Sequence, residues 1–356
     1  MGVRSARTSR SEAEESLQEL ESLARSAGAQ VVVSEILPLD RPNPAILLGK
    51  GKIPLLQEQV SQNKIDIVLF DEALAPNQQR NWEEFLQVKV IDRTALILDI
   101  FAQRAKTREG QLQVELAQAN YLLPRLTGKG ILLSRLGGGI GTRGPGETKL
   151  EVDRRRIRIR IQYLQQELER VRQARSLQRR GRQEKGLPII ALVGYTNAGK
   201  STLFNRLTGA NIRVEDRLFS TLDPTLRRLR LSEEQTVILS DTVGFIRKLP
   251  HLLVEAFRAT LEEVIQATLL LHVVDISSPE IEEQIRAVHE VLKEIGAGDK
   301  PSLLVWNKID RLVDSYPSER MERKWGEGVM VSAKRGQGLD LLKQRVASLL
   351  TIGMEQ

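Results

Sequence analysis

The residues that could do chemistry cluster in the second half of this 356-residue chain. Gly194-Tyr195-Thr196-Asn197-Ala198-Gly199-Lys200-Ser201 spells G-x-x-x-x-G-K-[ST]. Such glycines let backbone curl so that its N–H groups face a β-phosphate at a helix N-terminus. Lys200 is expected to bridge β- and γ-phosphate oxygens, and Ser201 to put its hydroxyl on Mg2+. Thr202 opens the helix behind the loop. Asp241-Thr242-Val243-Gly244 follows as a D-x-x-G, with Asp241 expected to hold Mg2+ through water and the Gly244 N–H to sense the γ-phosphate.

Two further patterns read a base. Asn307-Lys308-Ile309-Asp310 is an N-K-x-D. Its Asp310 carboxylate can accept from both N1–H and the exocyclic amine of guanine, whereas adenine would leave it unpaired. The Lys308 stem can cover the base face. Ser332-Ala333-Lys334 should bring the Ala333 N–H to guanine O6. These four elements in this order imply GTP and GDP as ligands and hydrolysis of GTP. Between the first two lies Phe219-Ser220-Thr221-Leu222-Asp223-Pro224-Thr225. Thr221 is the favoured switch threonine and third Mg2+ ligand, with Thr225 as the alternative. Lys200, Thr221 and Gly244 are thus the candidate catalytic residues.

Two positions depart from the Ras pattern. Phe245 stands where Ras-like enzymes carry a glutamine that orients water, so unassisted hydrolysis should be slow. Asn197 stands where potassium-dependent GTPases carry an asparagine that helps bind K+; a turn-forming residue with no ion is the competing reading.

These patterns need strands to deliver them. Pro188 to Val193 reads as a buried strand feeding the glycine loop, Val237 to Asp241 as one ending in the carboxylate, and Leu303 to Trp306 as one delivering Asn307. A Ras-like P-loop domain is expected over residues 187–356. Ahead of it, residues 1–108 read as a small parallel α/β domain, with Leu17, Leu20 and Leu23 at helical spacing. Its expected strands are Val31-Val32-Val33, Ile65 to Phe70 and Val88 to Ile91. Residues 109–186 carry two apolar stripes at helical spacing. An antiparallel hairpin with residues 127–146 as its glycine-rich tip joins them most simply, and a dimeric coiled coil is the rival. The fold class is α/β.

Composition narrows the partners. The chain has no cysteine, which excludes disulfides and thiolate metal sites. No apolar run approaches the ~18 residues that span a bilayer. No secretory signal is expected, and a cytoplasmic location fits, with an organellar stroma or matrix as the variant. The formal charge is +7 and aromatics are 4%. That balance favours structured RNA, read through backbone and shape, over stacking on unpaired bases.

The tract Gly137-Gly138-Gly139-Ile140-Gly141-Thr142-Arg143-Gly144-Pro145-Gly146-Glu147-Thr148-Lys149-Leu150-Glu151, followed by Asp153-Arg154-Arg155, resembles the signature of the HflX family. Phe219 to Thr225, Asp241 to Phe245, Ile91 to Thr94 and Gln113 to Gln118 resemble it too. The resemblance covers nearly the whole chain from about Ser11. It implies a ribosome-associated GTPase that binds the large subunit and its RNA and acts in splitting, rescue or recycling; a monomer is expected. The extra C-terminal domain of some members is not expected. Some members are reported to bind ATP through the N-terminal domain; here Leu48-Gly49-Lys50-Gly51-Lys52 reads better as a basic turn before a helix. The rival function is a GTP-dependent switch for a membrane or signalling partner. The arginines 154, 155, 156, 158 and 160 argue for RNA phosphates instead.

Overall fold

The computed structural model describes residues 1–5, 9–39, 41–126, 149–183, 187–211, 218–219, 221–250, 252–254, 261–312 and 324–352. The chain forms two compact units. One comprises Met1–Gln103 with Gln111–Glu169, the other Arg104–Gly110 with Arg170–Gln356. The α/β expectation holds.

The first unit contains β1 (Gly2–Ser5), α1 (Arg10–Ser26), β2 (Ile36–Leu39), α2 (Lys52–Gln62), β3 (Ile67–Phe70), α3 (Pro76–Leu86), β4 (Lys89–Asp92) and α4 (Arg93–Arg104). β1 pairs parallel with β2, and β3 with β4. A reciprocal cap of Ser9 and Glu12 starts α1. Leu17, Leu20 and Leu23 are buried along it, and Gly28 at φ +88° follows its end. The core gathers Leu37, Leu48, Leu56, Phe70, Trp82 and Val90. One strand expectation fails. Val31-Val32-Val33 is not a strand, and Val32 is 56% exposed. The strand begins at Ile36, in a register that sets Leu37 opposite Val3, and both of these are buried. Three consecutive β-branched residues carried the propensity, but cross-strand pairing and burial decide a strand.

A buried polar cluster ties this unit together. Arg93 pairs with Asp71 at 2.8 Å and with Glu19, and Ser16 donates to Asp71 at 2.6 Å. Asp92 accepts from the Leu74 N–H, the Ala95 N–H and the Tyr121 hydroxyl. Ile91-Asp92-Arg93-Thr94 is therefore a structural tie, with every named charge given a partner.

α5 (Arg108–Leu122) and α6 (Lys149–Gln183) run antiparallel where both belong to this unit, from Gln111 on α5 and up to Glu169 on α6. Arg160 binds Glu115 through two nitrogens at 2.6 and 2.8 Å, while Arg154, earlier in α6, donates to Leu126 O, later than α5. Val114, Ala117 and Tyr121 are buried on one helix, and Ile161, Leu164 and Leu168 on the other. The hairpin tip, residues 127–146, and with it the glycine tract up to Thr148, lie outside the described residues.

The second unit has β5 (Ile189–Val193), α7 (Lys200–Thr208), β6 (Thr225–Arg230), β7 (Thr236–Asp241), α8 (Glu262–Gln266), β8 (Leu269–Asp275), α9 (Ile281–Glu294), β9 (Ser302–Asn307), β10 (Gly328–Met330) and α10 (Leu339–Ile352). Its sheet order is β10-β9-β8-β5-β7-β6, parallel except for β6. Ile190, Leu192, Leu239, Leu271, Val273 and Val305 fill its core. The order reverses around β5, so the crevice beyond the carboxyl ends of β5, β7 and β8 is where such a sheet takes a ligand.

Candidate nucleotide site

The glycine loop, the D-x-x-G, the N-K-x-D and the Ser332–Lys334 segment each follow the carboxyl end of a parallel strand, and the Thr221 segment enters antiparallel β6. β5 runs into Gly194, whose φ is +150° and whose added Cβ would collide with Val273 O. Only glycine lets the loop leave so close to the neighbouring strand. Gly199, at φ +95°, turns the chain into α7 against the Asn307 amide. An open cleft of ≈ 380 Å³ results, lined by Thr196, Asn197, Gly199, Lys200, Ser201, Thr202, Phe219, Thr221, Thr242 and Gly244. Ten of the residues singled out in the sequence thus meet in one place.

Lys200 is buried and donates to Gly194 O at 3.0 Å and to Tyr195 O at 2.9 Å. Burial pushes its ammonium down to about 8, with Asp241 opposing and Lys308 reinforcing the shift. The loop's own carbonyls therefore occupy the lysine that the sequence assigns to phosphate. Asn197 adopts φ +60°, a left-handed conformation that asparagine tolerates. That conformation alone accounts for the residue without an ion.

Ser201, Thr221 and Asp241 converge. Ser201 donates to Asp241 Oδ2 at 2.6 Å, Thr221 to the same oxygen at 3.2 Å, and the two hydroxyls lie 2.8 Å apart. Asp241 Oδ1 is buried and meets no hydrogen-bond partner among the described residues. Burial raises the Asp241 pKa, opposed chiefly by the Ser201 hydrogen bond and the Lys200 charge. Two hydroxyls and a carboxylate with an orphaned oxygen form a hard-oxygen donor set of the kind Mg2+ takes. Thr225, the alternative switch threonine, begins β6 opposite Asp241 in the sheet register.

The D-x-x-G segment lies against the glycine loop. Thr242 donates to Leu192 O at 2.6 Å, and Val243 is buried. A Cβ on Gly244 would stand 2.7 Å from Thr196 Cα and 3.2 Å from Lys200 Nζ. Phe245 is fully buried; its N–H donates to Gly194 O and its carbonyl accepts from Thr196 N–H. On the other side Thr196 Oγ1 accepts from the Phe219 N–H at 3.0 Å.

The base-reading residues form a connected set. Asn307 donates to Ala198 O at 2.8 Å and accepts from the Ala333 N–H at 3.0 Å. The Ala333 N–H, expected on guanine O6, is thus given to Asn307 here. Ser332 donates to Asp310 Oδ1 at 2.5 Å. That bond is the main reason the Asp310 carboxyl lies below its ordinary pKa. Arg206 from α7 donates to Ala333 O and Lys334 O, fixing this loop to the helix behind the glycine loop.

One member was missed in the sequence. Asp275 ends β8 and pairs with Lys308 at 2.6 Å, while Ser277 donates to its other oxygen through N–H and hydroxyl. Lys308 sits at φ +67°, and this ion pair fixes its ammonium beside the end of β8. The signal was present: a carboxylate closing the apolar run Leu269 to Val274, as Asp241 closes its own strand. Elsewhere, the Leu48–Lys52 stretch is a turn leading into α2, with Leu48 buried and Gly51 at the cap.

Residues 14–102 match the family described as GTP-binding GTPase N-terminal. Residues 104–182 match GTP-binding GTPase Middle Region, and residues 189–308 match 50S ribosome-binding GTPase. The GTPase HflX of Caldanaerobacter subterraneus subsp. tengcongensis is 53% identical over 335 residues, 94% of this chain and 77% of that protein. The GTPase HflX of Escherichia coli K12 is 51% identical over 338 residues, 95% of this chain and 79% of that one. Among solved structures, a GDP complex of the protein SsGBP superposes with a TM-score of 0.51 at 27% identity. It covers 98% of this chain and 97% of its own.

Proposed function

Because the chain belongs to the HflX family of GTPases, a GTP-binding and GTP-hydrolysing family, we propose that it spends its GTP on the large ribosomal subunit, in splitting, rescue or recycling. The observation that carries the ribosomal half is the run of exposed arginines on α6, Arg155, Arg156 and Arg158, next to an exposed Arg160 that pairs with Glu115. Such a row suits RNA phosphates, positioning the protein without reading sequence. The charge of +7 acts in the same sense. The match of residues 189–308 to a family described as 50S ribosome-binding supports it. The glycine tract, which precedes this helix in the sequence, is proposed to approach the same RNA.

The functional division we propose is an α/β domain over 1–108, a helical hairpin over 109–186 and the GTPase domain over 187–356, working as a cytoplasmic monomer. In the GTPase domain the loop N–H groups from Asn197 to Ser201 cradle the β-phosphate. Lys200 exchanges its two loop carbonyls for phosphate oxygens. Asp310 accepts from guanine N1–H and the exocyclic amine, with Lys308, held by Asp275, covering the ring. Ser201, Thr221 and Asp241 are the residues that would hold Mg2+, which would supply neutralisation of the charge on the β- and γ-oxygens. The Gly244 N–H meets the γ-phosphate. Phe245 holds no water, so the attacking water must be oriented from outside, which the ribosome would provide.

The competing reading is a switch for a membrane or signalling partner. No helix among the described residues is long and apolar enough to cross a membrane. Sedimentation separates the two. With a non-hydrolysable GTP analogue, the protein should pellet with large ribosomal subunits and not with anionic lipid vesicles. Changing Arg155, Arg156 and Arg158 to alanine should weaken that binding and flatten its salt dependence, by about one unit of slope for each phosphate no longer neutralised. Vesicle binding without subunit binding would overturn the proposal.

A further inference from the structure

Asp223 lies two residues beyond Thr221 and two before β6. Its side chain reaches across 116 residues of sequence to a turn of the same unit. Oδ2 accepts from the Lys106 N–H at 3.0 Å and the Thr107 N–H at 2.9 Å, and Oδ1 accepts from the Thr107 hydroxyl. Thr107 Oγ1 in turn accepts from the Gly110 N–H at 3.0 Å. Since α5 begins at Arg108, Thr107 stands at its cap and Gly110 in its first turn. The carboxylate therefore satisfies donors ahead of a helix whose positive end favours a negative charge. A Cβ on Gly110 would collide with Asp223 Oδ1, so this approach requires glycine at 110.

The segment so gripped is unusual in the chain's organisation. Arg104–Gly110 belongs to the nucleotide-binding unit, although the chain up to Gln103 and from Gln111 belongs to the other. The switch segment is also held at its opposite end, where the Phe219 N–H donates to Thr196 Oγ1 of the glycine loop. Thr221 sits between these two anchors with its hydroxyl on Ser201 and Asp241.

We infer that Asp223 is a positioning residue for hydrolysis: by capping the turn at 106–110 it holds the backbone that presents Thr221 to the metal centre. It also ties entry into α5 to the nucleotide state. The inference rests on the proposed role of Thr221 in holding Mg2+. The coupling must run both ways. If a bound triphosphate with Mg2+ favours the placed Thr221, it favours the capped turn equally.

The test uses the full-length protein and its Asp223→Ala, Gly110→Ala, Asp223→Asn and Thr221→Ala variants. Each is titrated with GDP without Mg2+ and with a non-hydrolysable GTP analogue with Mg2+. Amide exchange is followed in residues 107–111. Asp223→Ala and Gly110→Ala should lower analogue affinity in Mg2+ about tenfold, the loss of a hydrogen bond to a charged group. GDP binding without Mg2+ should be unchanged, which also reports an intact fold. The asparagine amide of Asp223→Asn can still accept from both N–H groups and should recover part of the loss. Exchange at 107–111 should slow when the analogue binds the parent and fail to slow in Asp223→Ala. If Thr221→Ala binds the analogue like the parent, the reading of the metal centre falls, and this inference with it. If Thr221→Ala is impaired while Asp223→Ala and Gly110→Ala are not, the positioning role alone is overturned. Equal loss of GDP and analogue binding would reduce Asp223 to a structural cap and overturn it too.

Discussion

Replacing Asp310 with asparagine should exchange the base that the pocket prefers, and one hydrogen bond sets the direction. Ser332 donates to Asp310 Oδ1 at 2.5 Å and lowers the carboxyl's pKa below its ordinary value. Oδ2 is left for the exocyclic amine of guanine. In Asp310→Asn the same hydroxyl still needs an acceptor, so it keeps the amide oxygen and leaves Nδ2 in the place of Oδ2. An N–H donor then faces the donor of guanine. The lost charge-assisted bond costs about 1.5–3 kcal/mol, and the unsatisfied donors roughly 1–3 kcal/mol more. At about 1.4 kcal/mol per decade this is on the order of 10²–10⁴-fold in GDP affinity. Xanthosine diphosphate presents a carbonyl at that position and should gain. The assay is displacement of a fluorescent GDP by GDP and by xanthosine diphosphate, on parent and variant. Adding Ser332→Ala frees the amide to turn and should shrink the gain for xanthosine. Parent-like GDP binding in a folded Asp310→Asn, or no gain for xanthosine, would refute the placement of the base.

Four other outcomes are expected. Lys200→Ala should reduce hydrolysis to background with the fold intact, removing an interaction worth about 1.5–3 kcal/mol in nucleotide binding; undiminished turnover would contradict its proposed role. Thr221→Ala should abolish the gain in GTP affinity that Mg2+ provides over EDTA, whereas Thr225→Ala should keep it; the reverse result would move the switch threonine to 225. Hydrolysis in KCl should exceed that in NaCl at equal ionic strength if Asn197 serves an ion, and equal rates would leave only its turn-forming role. Phe245→Gln should not speed hydrolysis in the free protein, because the side chain at 245 is enclosed; a free variant faster than the parent would show that only the amide was missing.

The candidate nucleotide pocket was legible because each of its expected chemical demands falls on contiguous residues at a strand end. Gly194, Lys200, Asp241, Asn307 and Asp310 announce themselves by type, spacing and the apolar run before them. Partners far apart in sequence were not legible. Nothing local ties Asp223 to Thr107, and the Asp275–Lys308 pair joins the ends of adjacent strands β8 and β9. Val31 to Val33 misled because propensity was read without knowing which edge would accept a strand. Asp92 and Arg93 looked like a family signature with unassigned chemistry. Their burial against Tyr121, Asp71 and Glu19 gives them a structural purpose that residue types alone do not distinguish from a catalytic one.

The position after the D-x-x-G glycine joins these threads. Phe245 is bridged to the glycine loop by hydrogen bonds from its N–H and to its carbonyl. Two residues on, the Arg247 N–H donates to the Tyr195 hydroxyl at 2.9 Å, and its guanidinium pairs with Glu280. Turning the 245 side chain toward the phosphates would break backbone bonds in a buried place, at roughly 1–3 kcal/mol for each group left unsatisfied. A phenyl ring would gain nothing there, having neither donor nor acceptor for a water. The segment is therefore strapped to the glycine loop at Phe245 and Arg247, with no side-chain donor or acceptor at 245. Under the proposed function, completion would come from a docking partner. On that proposal, slow hydrolysis in the free protein would keep GTP bound until the partner arrives, so a free enzyme as fast as the ribosome-bound one would refute it.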